Sequence, residues 1–191
     1  MSWRDYYEAV KTDPRPALLR GLLYFAEHPP EAKTAYDLGC GNGRDTIALL
    51  KDGWKVTAVD SEPSAIEFIH NNLGNVIPED LSFICSSFEE VVWRKATLVN
   101  AGYSLPFCTR EHFNGMMQSV TKSIKKGGMF TGNFFGTRDE YQDLSLVTRQ
   151  DLTEMFSGFE LLYFTEEEFN GHSVSDPEKH WHIFEVTALK K

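Results

Sequence analysis

The sequence predicts an α/β fold, with a mostly parallel seven-stranded sheet, an antiparallel C-terminal hairpin and helices on both faces. Three observations predict it. From Thr34 onward, short strand-like runs alternate with helix-like segments, the pattern of a parallel sheet covered on both sides. The first run leads directly into a glycine-rich turn, Gly39-Cys40-Gly41-Asn42-Gly43. The last two runs are adjacent with only a moderate loop between them, which suits an antiparallel pair at a sheet edge.

The elements follow in order. Ser2 to Val10 reads as a short helix carrying Trp3, Tyr6 and Tyr7. Pro14 and Pro16 break it, and Pro16 opens a second helix through Phe25, because proline suits the first helical position. Pro29-Pro30 ends this segment, so residues 1–33 read as a helical cap on a core of residues 34–191 in one domain. The expected parallel strands are Thr34–Leu38, Lys55–Val59, Leu81–Cys85, Ala96–Asn100 and Met129–Phe135. Between them lie helices Arg44–Asp52 and Pro63–Asn72, a short turn near Phe88–Trp93, and helix Arg110–Ile124. Gly127-Gly128 reads as the stop of that last helix, with Ile124-Lys125-Lys126 as its positively charged end. A polar connection and a helix from Arg149 to Phe156 precede the closing strands, about Phe159–Glu166 and His180–Leu189. The stretch from Thr165 to His172 reads as a solvated acidic turn.

Composition narrows the function classes. A length of 191 residues supports one domain with a sizeable core. The net charge of −9 disfavours a broad phosphate-binding surface, so no nucleic-acid partner is expected. The start of the chain lacks an apolar leader core, and no apolar run is long enough to span a bilayer, so no membrane partner is expected. Cys40, Cys85 and Cys108 lack metal-type spacing and read as reduced thiols of a cytoplasmic protein. His180 and His182 share one strand face, but two histidines do not complete a metal site, and no metal is expected.

The glycine turn carries the chemistry. Glycine lets the backbone turn sharply and lets a ligand lie against it, and the free N–H groups at the start of the next helix favour a polar or anionic ligand group. The turn therefore reads as a nucleotide-type cofactor site. Its spacing, Gly39-x-Gly41-x-Gly43, departs from the dinucleotide pattern G-x-G-x-x-G, and Arg44 stands where the third dinucleotide glycine would be. Asp60 ends the second strand, 17 residues after Gly43, near the spacing of a ribose-binding acid. A carboxylate there can accept from both ribose hydroxyls.

The string from Ala35 to Asp45 closely resembles the first motif of class I S-adenosylmethionine-dependent methyltransferases, with Asp37 before the first glycine. Five parallel strands plus a terminal hairpin resemble that family's Rossmann-like arrangement from Thr34 onward. Within the family, the chain is most similar to small single-domain bacterial enzymes of the tellurite-resistance type. The strings Asp37 to Gly41, Arg44-Asp45-Thr46 and Lys179-His180-Trp181-His182 resemble unassigned members of the wider class. The resemblance implies S-adenosylmethionine as cofactor and S-adenosylhomocysteine as product. It implies cofactor contacts from Asp37, Gly39, Cys40, Gly41, Asn42, Gly43, Asp60, Ser61, Ser87, Phe88, Asn100 and Ala101.

In open α/β sheets ligands bind beyond the carboxyl ends of the strands, so those ends hold the remaining candidates. Ser87 and Phe88 follow the third strand at the place where the family receives adenine; Ser87 reads equally as a helix N-cap. Asn100-Ala101-Gly102-Tyr103 follows the fourth strand, where the family faces the transferred methyl. The Asn/Asp-Pro-Pro-Tyr string of amide and nucleobase N-methyltransferases is absent, which argues against base or glutamine methylation. Candidate walls of the acceptor pocket are Tyr7, Arg15, Tyr103, Trp181 and His182; for the arginine and the loop aromatics, solvation or plain packing is the competing reading. No nucleophile–base pair stands out, so no catalytic residue is assigned.

The expected function is methyl transfer to a small molecule by in-line displacement, which rests on positioning and water exclusion. The short cap and the lack of an inserted substrate domain favour a small acceptor. Two alternatives remain: a cofactor-binding regulatory module without turnover, and a nicotinamide-dependent oxidoreductase. The oligomeric state is not predicted.

Overall fold

The computed structural model describes residues 2–74, 76–174 and 176–191. The strands are β1 (Thr34–Leu38), β2 (Lys55–Asp60), β3 (Leu81–Cys85), β4 (Ala96–Ala101), β5 (Ile124–Phe135), β6 (Phe159–Gly171) and β7 (Lys179–Lys190). The helices are α1 (Trp3–Ala9), α2 (Pro16–Glu27), α3 (Arg44–Lys51), α4 (Ser64–Asn72), α5 (Arg110–Ser123) and α6 (Arg149–Met155), with single 3-10 turns at Phe88–Glu90 and Leu105–Phe107. One sheet runs in the order β3-β2-β1-β4-β5-β7-β6. β7 is antiparallel to both of its neighbours, and the remaining pairs are parallel. This is the Rossmann-like methyltransferase arrangement expected from the sequence. No described helix is long and apolar enough to cross a membrane.

Strand alternation sends successive side chains to opposite faces, and each face has its own core. On one face Leu18 and Phe25 of α2, Leu49 of α3 and Ile69 of α4 pack with Trp54, Ala35, Val56 and Met129. On the other, Phe113 and Met117 of α5 and Leu152 of α6 pack with Tyr36, Val99, Phe130 and Phe184. The chain leaves β1 toward β2 on one side and leaves β4 toward β5 on the other. The carboxyl ends of β1 and β4 therefore flank a topological switch point, where such sheets bind ligands.

Most predicted elements shift by one or two residues at their ends, but two readings require correction. Helix α5 stops at Ser123, and Gly127-Gly128 lie inside β5 rather than ending the helix. The terminal helix carbonyls of Thr121 and Lys122 accept from the ammonium groups of Lys190 and Lys95, which replaces the expected capping by Lys125-Lys126. The extra residues of β5 form an irregularity between the Ala96↔Ile124 and Leu98↔Met129 pairs. Gly127 takes φ +73° there.

The second correction concerns the acidic stretch. Thr165 to Gly171 is strand, paired with β7 along its length. Each paired glutamate on one side of β6 has cationic or imidazole partners. Glu166 meets Arg149 Nε (2.8 Å), Arg138 Nη2 (3.4 Å) and His182 Nε2 (3.0 Å). Glu168 meets Arg138 Nε (2.8 Å) and His180 Nε2 (3.1 Å). The arginines come from segments distant in sequence, so nothing local in the acidic run announces the strand.

Candidate functional site

The glycine turn is built on positive backbone angles. Gly39, Gly41 and Gly43 take φ +65°, +52° and +82°, a region that side chains other than glycine rarely adopt. The alternate spacing of the glycines is thus the spacing of the left-handed residues. The turn is tied to the end of β2, because Gly39 N and Cys40 N donate to Val59 O at 2.8 and 3.1 Å. At Gly39 an added Cβ would collide with Ser104, whose hydroxyl donates to Leu38 O. The loops after β1 and β4 are thereby locked against each other.

Asp60 lies at the carboxyl end of β2, facing the turn. Its Oδ2 accepts from Gly41 N (2.9 Å), and its Oδ1 accepts from Glu62 N (2.9 Å) and from the Tyr7 hydroxyl (3.1 Å). Burial raises the Asp60 carboxyl above its ordinary range, against the lowering effect of these hydrogen bonds. Burial beside Asp60 also raises the Tyr7 phenol, so it stays protonated as a donor. Ser61 follows and is exposed.

The cap reaches this site through α1. The Tyr7 ring lies over the turn, 3.1 Å from where a Cβ on Gly41 would stand. It stacks on Trp3 and meets Phe68 of α4 edge-on. Trp3 in turn meets Phe107 of the β4 loop. Asn42 holds the end of α1: its amide donates at 3.3–3.4 Å to the carbonyls of Tyr7, Val10 and Lys11. Arg15 fixes the cap's second attachment, with its backbone N and its Nη1 donating to Asp45 at 2.8 and 3.0 Å. The sequence placed Tyr7 and Arg15 at the acceptor pocket. The structure puts Tyr7 on Asp60, and Arg15 between Asp45 and the Tyr103 ring, 6.0 Å from its centre.

Beneath the turn lies a closed polar network. Asp37 accepts from Thr46 Oγ1 (2.6 Å) and Asn100 Nδ2 (2.8 Å). The same Asn100 amide also donates to Asp45 (3.2 Å), and its oxygen accepts from Thr131 (2.9 Å). The side chains of Asp37 and Asn100 are thus engaged inside the protein. Burial, with Asp45 as a second cause, raises Asp37 to about 6. Ala101 is buried at the end of β4. Ser87 precedes the Phe88–Glu90 turn without a side-chain capping bond. The Phe88 ring approaches Gly39, 3.6 Å from an added Cβ.

A group of aromatic rings extends the site along the carboxyl ends of β4 and β5. Tyr103 sits at φ +58°, uncommon for a residue with a side chain and a store of strain. Its ring centroid is 6.1 Å from Phe135 and 6.5 Å from Trp181. Trp181 and His182 are strand neighbours, so only one can face this group. His182 is 1% exposed on the opposite side, packed on Gly136 and bonded to Glu166. The reading of His182 as a pocket wall is corrected accordingly. Among the described residues no cluster of His, Cys, Asp or Glu could hold a metal ion. A surface groove between α5 and α6, lined by Met117, Asp151, Glu154 and Met155, includes no residue of the glycine turn or of the aromatic group.

Several participants escaped the sequence reading. Asp45 and Thr46 stand in the first turn of α3, directly after the glycines, and that position was the available signal. Ser104, Phe135 and Glu185 carried none, because only the sheet order brings them to the site.

The comparisons agree with this geometry. Residues 35–128 match the family described as methyltransferase domain. Ribosomal protein L11 methyltransferase from Clostridium botulinum is 29% identical over 113 residues, 59% of this chain and 34% of that protein. Carboxy-S-adenosyl-L-methionine synthase from Trichlorobacter lovleyi is 25% identical over 136 residues, 66% of this chain and 55% of the relative. The chain thus spans about a third to a half of the length of these relatives. Among solved structures, TehB from Haemophilus influenzae has a TM-score of 0.74 at 18% identity, over 89% of this chain and 61% of its own. N-methyltransferase NodS from Bradyrhizobium japonicum, in complex with S-adenosylhomocysteine, has a TM-score of 0.69 at 13% identity, over 98% and 96%. At these identities the structural likeness is one of fold. Together with the glycine turn and Asp60, the family match supports a class I S-adenosylmethionine-dependent methyltransferase domain over residues 35–128, in a chain that is TehB-like in fold.

Proposed function

We propose that this chain transfers a methyl group from S-adenosylmethionine to a small-molecule acceptor, as a single domain with residues 1–33 as cap and 34–191 as catalytic core. One observation carries the reading: Asp60, at the end of β2 next to the switch point, has its carboxylate on Gly41 N, 2.9 Å away, so a diol acceptor and a glycine cradle lie side by side. The residues present fit the cofactor. A carboxylate suits two ribose hydroxyls, and the positive φ of Gly41 calls for glycine, which adds no side chain of its own to the cradle.

When bound, the cofactor supplies a methyl group on an electrophilic sulfonium. The chain's own part is to hold and to enclose. Asp60 and the turn hold the nucleoside end. Trp3, Tyr6 and Tyr7 of the cap cover the site and exclude water, and Tyr103 and Trp181 wall the acceptor side. No protein nucleophile is required, because in-line displacement needs alignment more than covalent help. The seating of Tyr7 on Asp60 favours a second reading, a binding module that opens only for the cofactor and has no turnover.

Calorimetric titration with S-adenosylmethionine, S-adenosylhomocysteine and NADH tests the cofactor. Binding of the first two alone is expected, with affinity at least about tenfold lower in Asp60→Ala, where charge-assisted hydrogen bonds are lost. Binding of NADH alone would overturn the reading. Methyl transfer to no acceptor in a broad small-molecule screen, despite cofactor binding, would favour the module.

A further inference from the structure

We infer that the acceptor is a ring-bearing amine, its ring against Tyr103 and Trp181 and its nitrogen toward Glu185. The inference rests on the methyltransferase reading and names the substrate class of that site.

Two properties of the aromatic group point to such a ligand. It attracts cations, since the Lys179 ammonium lies 3.5 Å from the Tyr141 ring centre and 4.3 Å from that of Trp181. The guanidinium of Arg15 lies over Tyr103 from another direction. Aromatic faces draw cationic and N–H-bearing groups through their quadrupole. Both protein cations are neutralised, Lys179 by Asp139 and Arg15 by Asp45, so neither adds net positive charge to repel an amine.

The polar floor beside the rings carries one carboxylate, Glu185. Glu185, on the β7 face that packs under α2, pairs with Arg20 and accepts from Asn133 Nδ2 (3.4 Å). Its strand partner Asn133 stands two residues before Phe135 on the same face of β5, and the Glu185 charge, after burial itself, raises the Tyr103 phenol. Glu167 acts on Tyr103 in the same direction. Two residues along β7 on the same face, Thr187 is buried and its hydroxyl has no protein partner, nor has Arg20 Nε. A buried polar group without a partner calls for a ligand or a water. Acceptor and donor groups thus stand ready at this floor.

The choice of nitrogen follows from the bases present. Among the described residues no histidine makes a hydrogen bond or ring contact with Tyr103, Phe135, Trp181 or Glu185. A hydroxyl acceptor must lose its proton to become a strong nucleophile, and a carboxylate is a weak base for that task. An amine held as its ammonium first gives that proton to solvent, far more readily than an alcohol would, and then attacks with its own lone pair. The nitrogen pair forms the new N–C bond, the S–C bond breaks with its pair left on sulfur, and the proton then leaves the alkylated nitrogen for a carboxylate or solvent.

The test is a binding measurement with matched probes: benzylamine, benzyl alcohol and benzoate, each titrated calorimetrically with and without saturating S-adenosylhomocysteine. Benzylamine is expected to bind at least about tenfold more tightly than the other two. Glu185→Gln should reduce that preference, and Trp181→Ala should weaken benzylamine and benzyl alcohol alike, with melting temperature recorded for both variants. Equal or tighter binding of the alcohol or the carboxylate by the unaltered protein overturns the inference. Titration of S-adenosylhomocysteine alone reports separately on the cofactor, so a failure of the methyltransferase reading is recognised on its own.

Discussion

Replacing Tyr7 by Phe removes one hydroxyl and leaves a ring that still packs on Trp3, Phe68 and the glycine turn. A carboxylate offers about four lone-pair positions. Three of those of Asp60 are taken, by Gly41 N, Glu62 N and the Tyr7 hydroxyl. A ribose diol brings two donors, so one present donor must leave. The two backbone groups are held by the turn and by the segment entering α4, whereas Tyr7 belongs to a one-helix cap. The phenol is therefore the group displaced. A hydrogen bond to a charged group contributes about 1.5–3 kcal/mol, of which the tyrosine regains part in its new surroundings, leaving a net cost of about 1 kcal/mol on binding. Tyr7→Phe should then bind S-adenosylhomocysteine about fivefold more tightly by calorimetry. The free protein should melt about 2–4 °C lower, since its cap has lost the same bond. An unchanged or weaker affinity would refute the displacement and make the phenol part of the bound site.

Two further predictions concern pH. Glu166 is held at about 2, first by Arg149 and then by His182. Its stabilisation is complete above the ordinary carboxyl value and lost as pH falls from about 4.5 toward 2. With its side chain partly exposed the effect is about 1 kcal/mol. Thermal melts between pH 5 and pH 3 should show a steeper loss for the unaltered protein than for Glu166→Gln. Asp37 has the opposite sign. Burial raises it to about 6, so the folded state binds the extra proton, and stability declines as pH rises from about 4 through 6. Asp37→Asn keeps its acceptor for Asn100 and turns an amide toward the Thr46 hydroxyl, which can accept. Its melting temperature should be flatter over that range and higher at pH 7 by an amount worth about 1–2 kcal/mol. Parallel pH profiles for the two proteins would exclude the buried carboxylate as their source.

The sheet was legible because each strand carries its own local signature. β1 and β3 match the expected bounds, since turn residues flank them on both sides, and β1 is in addition buried on both faces. β6 was cut short at Glu166 because three consecutive glutamates have low strand propensity in isolation. In the folded chain the arginines at 138 and 149 and the two histidines of β7 neutralise that edge, a tertiary effect that overrides propensity. The Gly127-Gly128 pair misled for a related reason. A left-handed glycine ends a helix and also permits an irregular strand, and only the partner Ala96 on β4 decides between them.

At the site, legibility follows the same division between local and assembled features. The glycine turn and Asp60 were readable because a positive φ demands glycine at fixed positions and because a strand end fixes where a carboxylate stands. The roles of Tyr7, Asn42 and Arg15 were not readable, because each is defined by what the cap touches after folding. Asn42 illustrates the difference. From sequence it is a member of a cofactor loop, yet its amide is directed at three carbonyls of the cap. The same loop therefore shapes the cradle with its glycines and anchors the lid with the side chain between them. Any movement of the cap that frees Asp60 must also strain or break the Asn42 contacts, two or three weak hydrogen bonds at 3.3–3.4 Å. Bonds that long weaken readily. The strong attachment is the Arg15–Asp45 pair, one residue before α2. The geometry thus places the hinge of α1 between Asn42's last contact, at Lys11, and Arg15, in residues 12–14, where no helix forms.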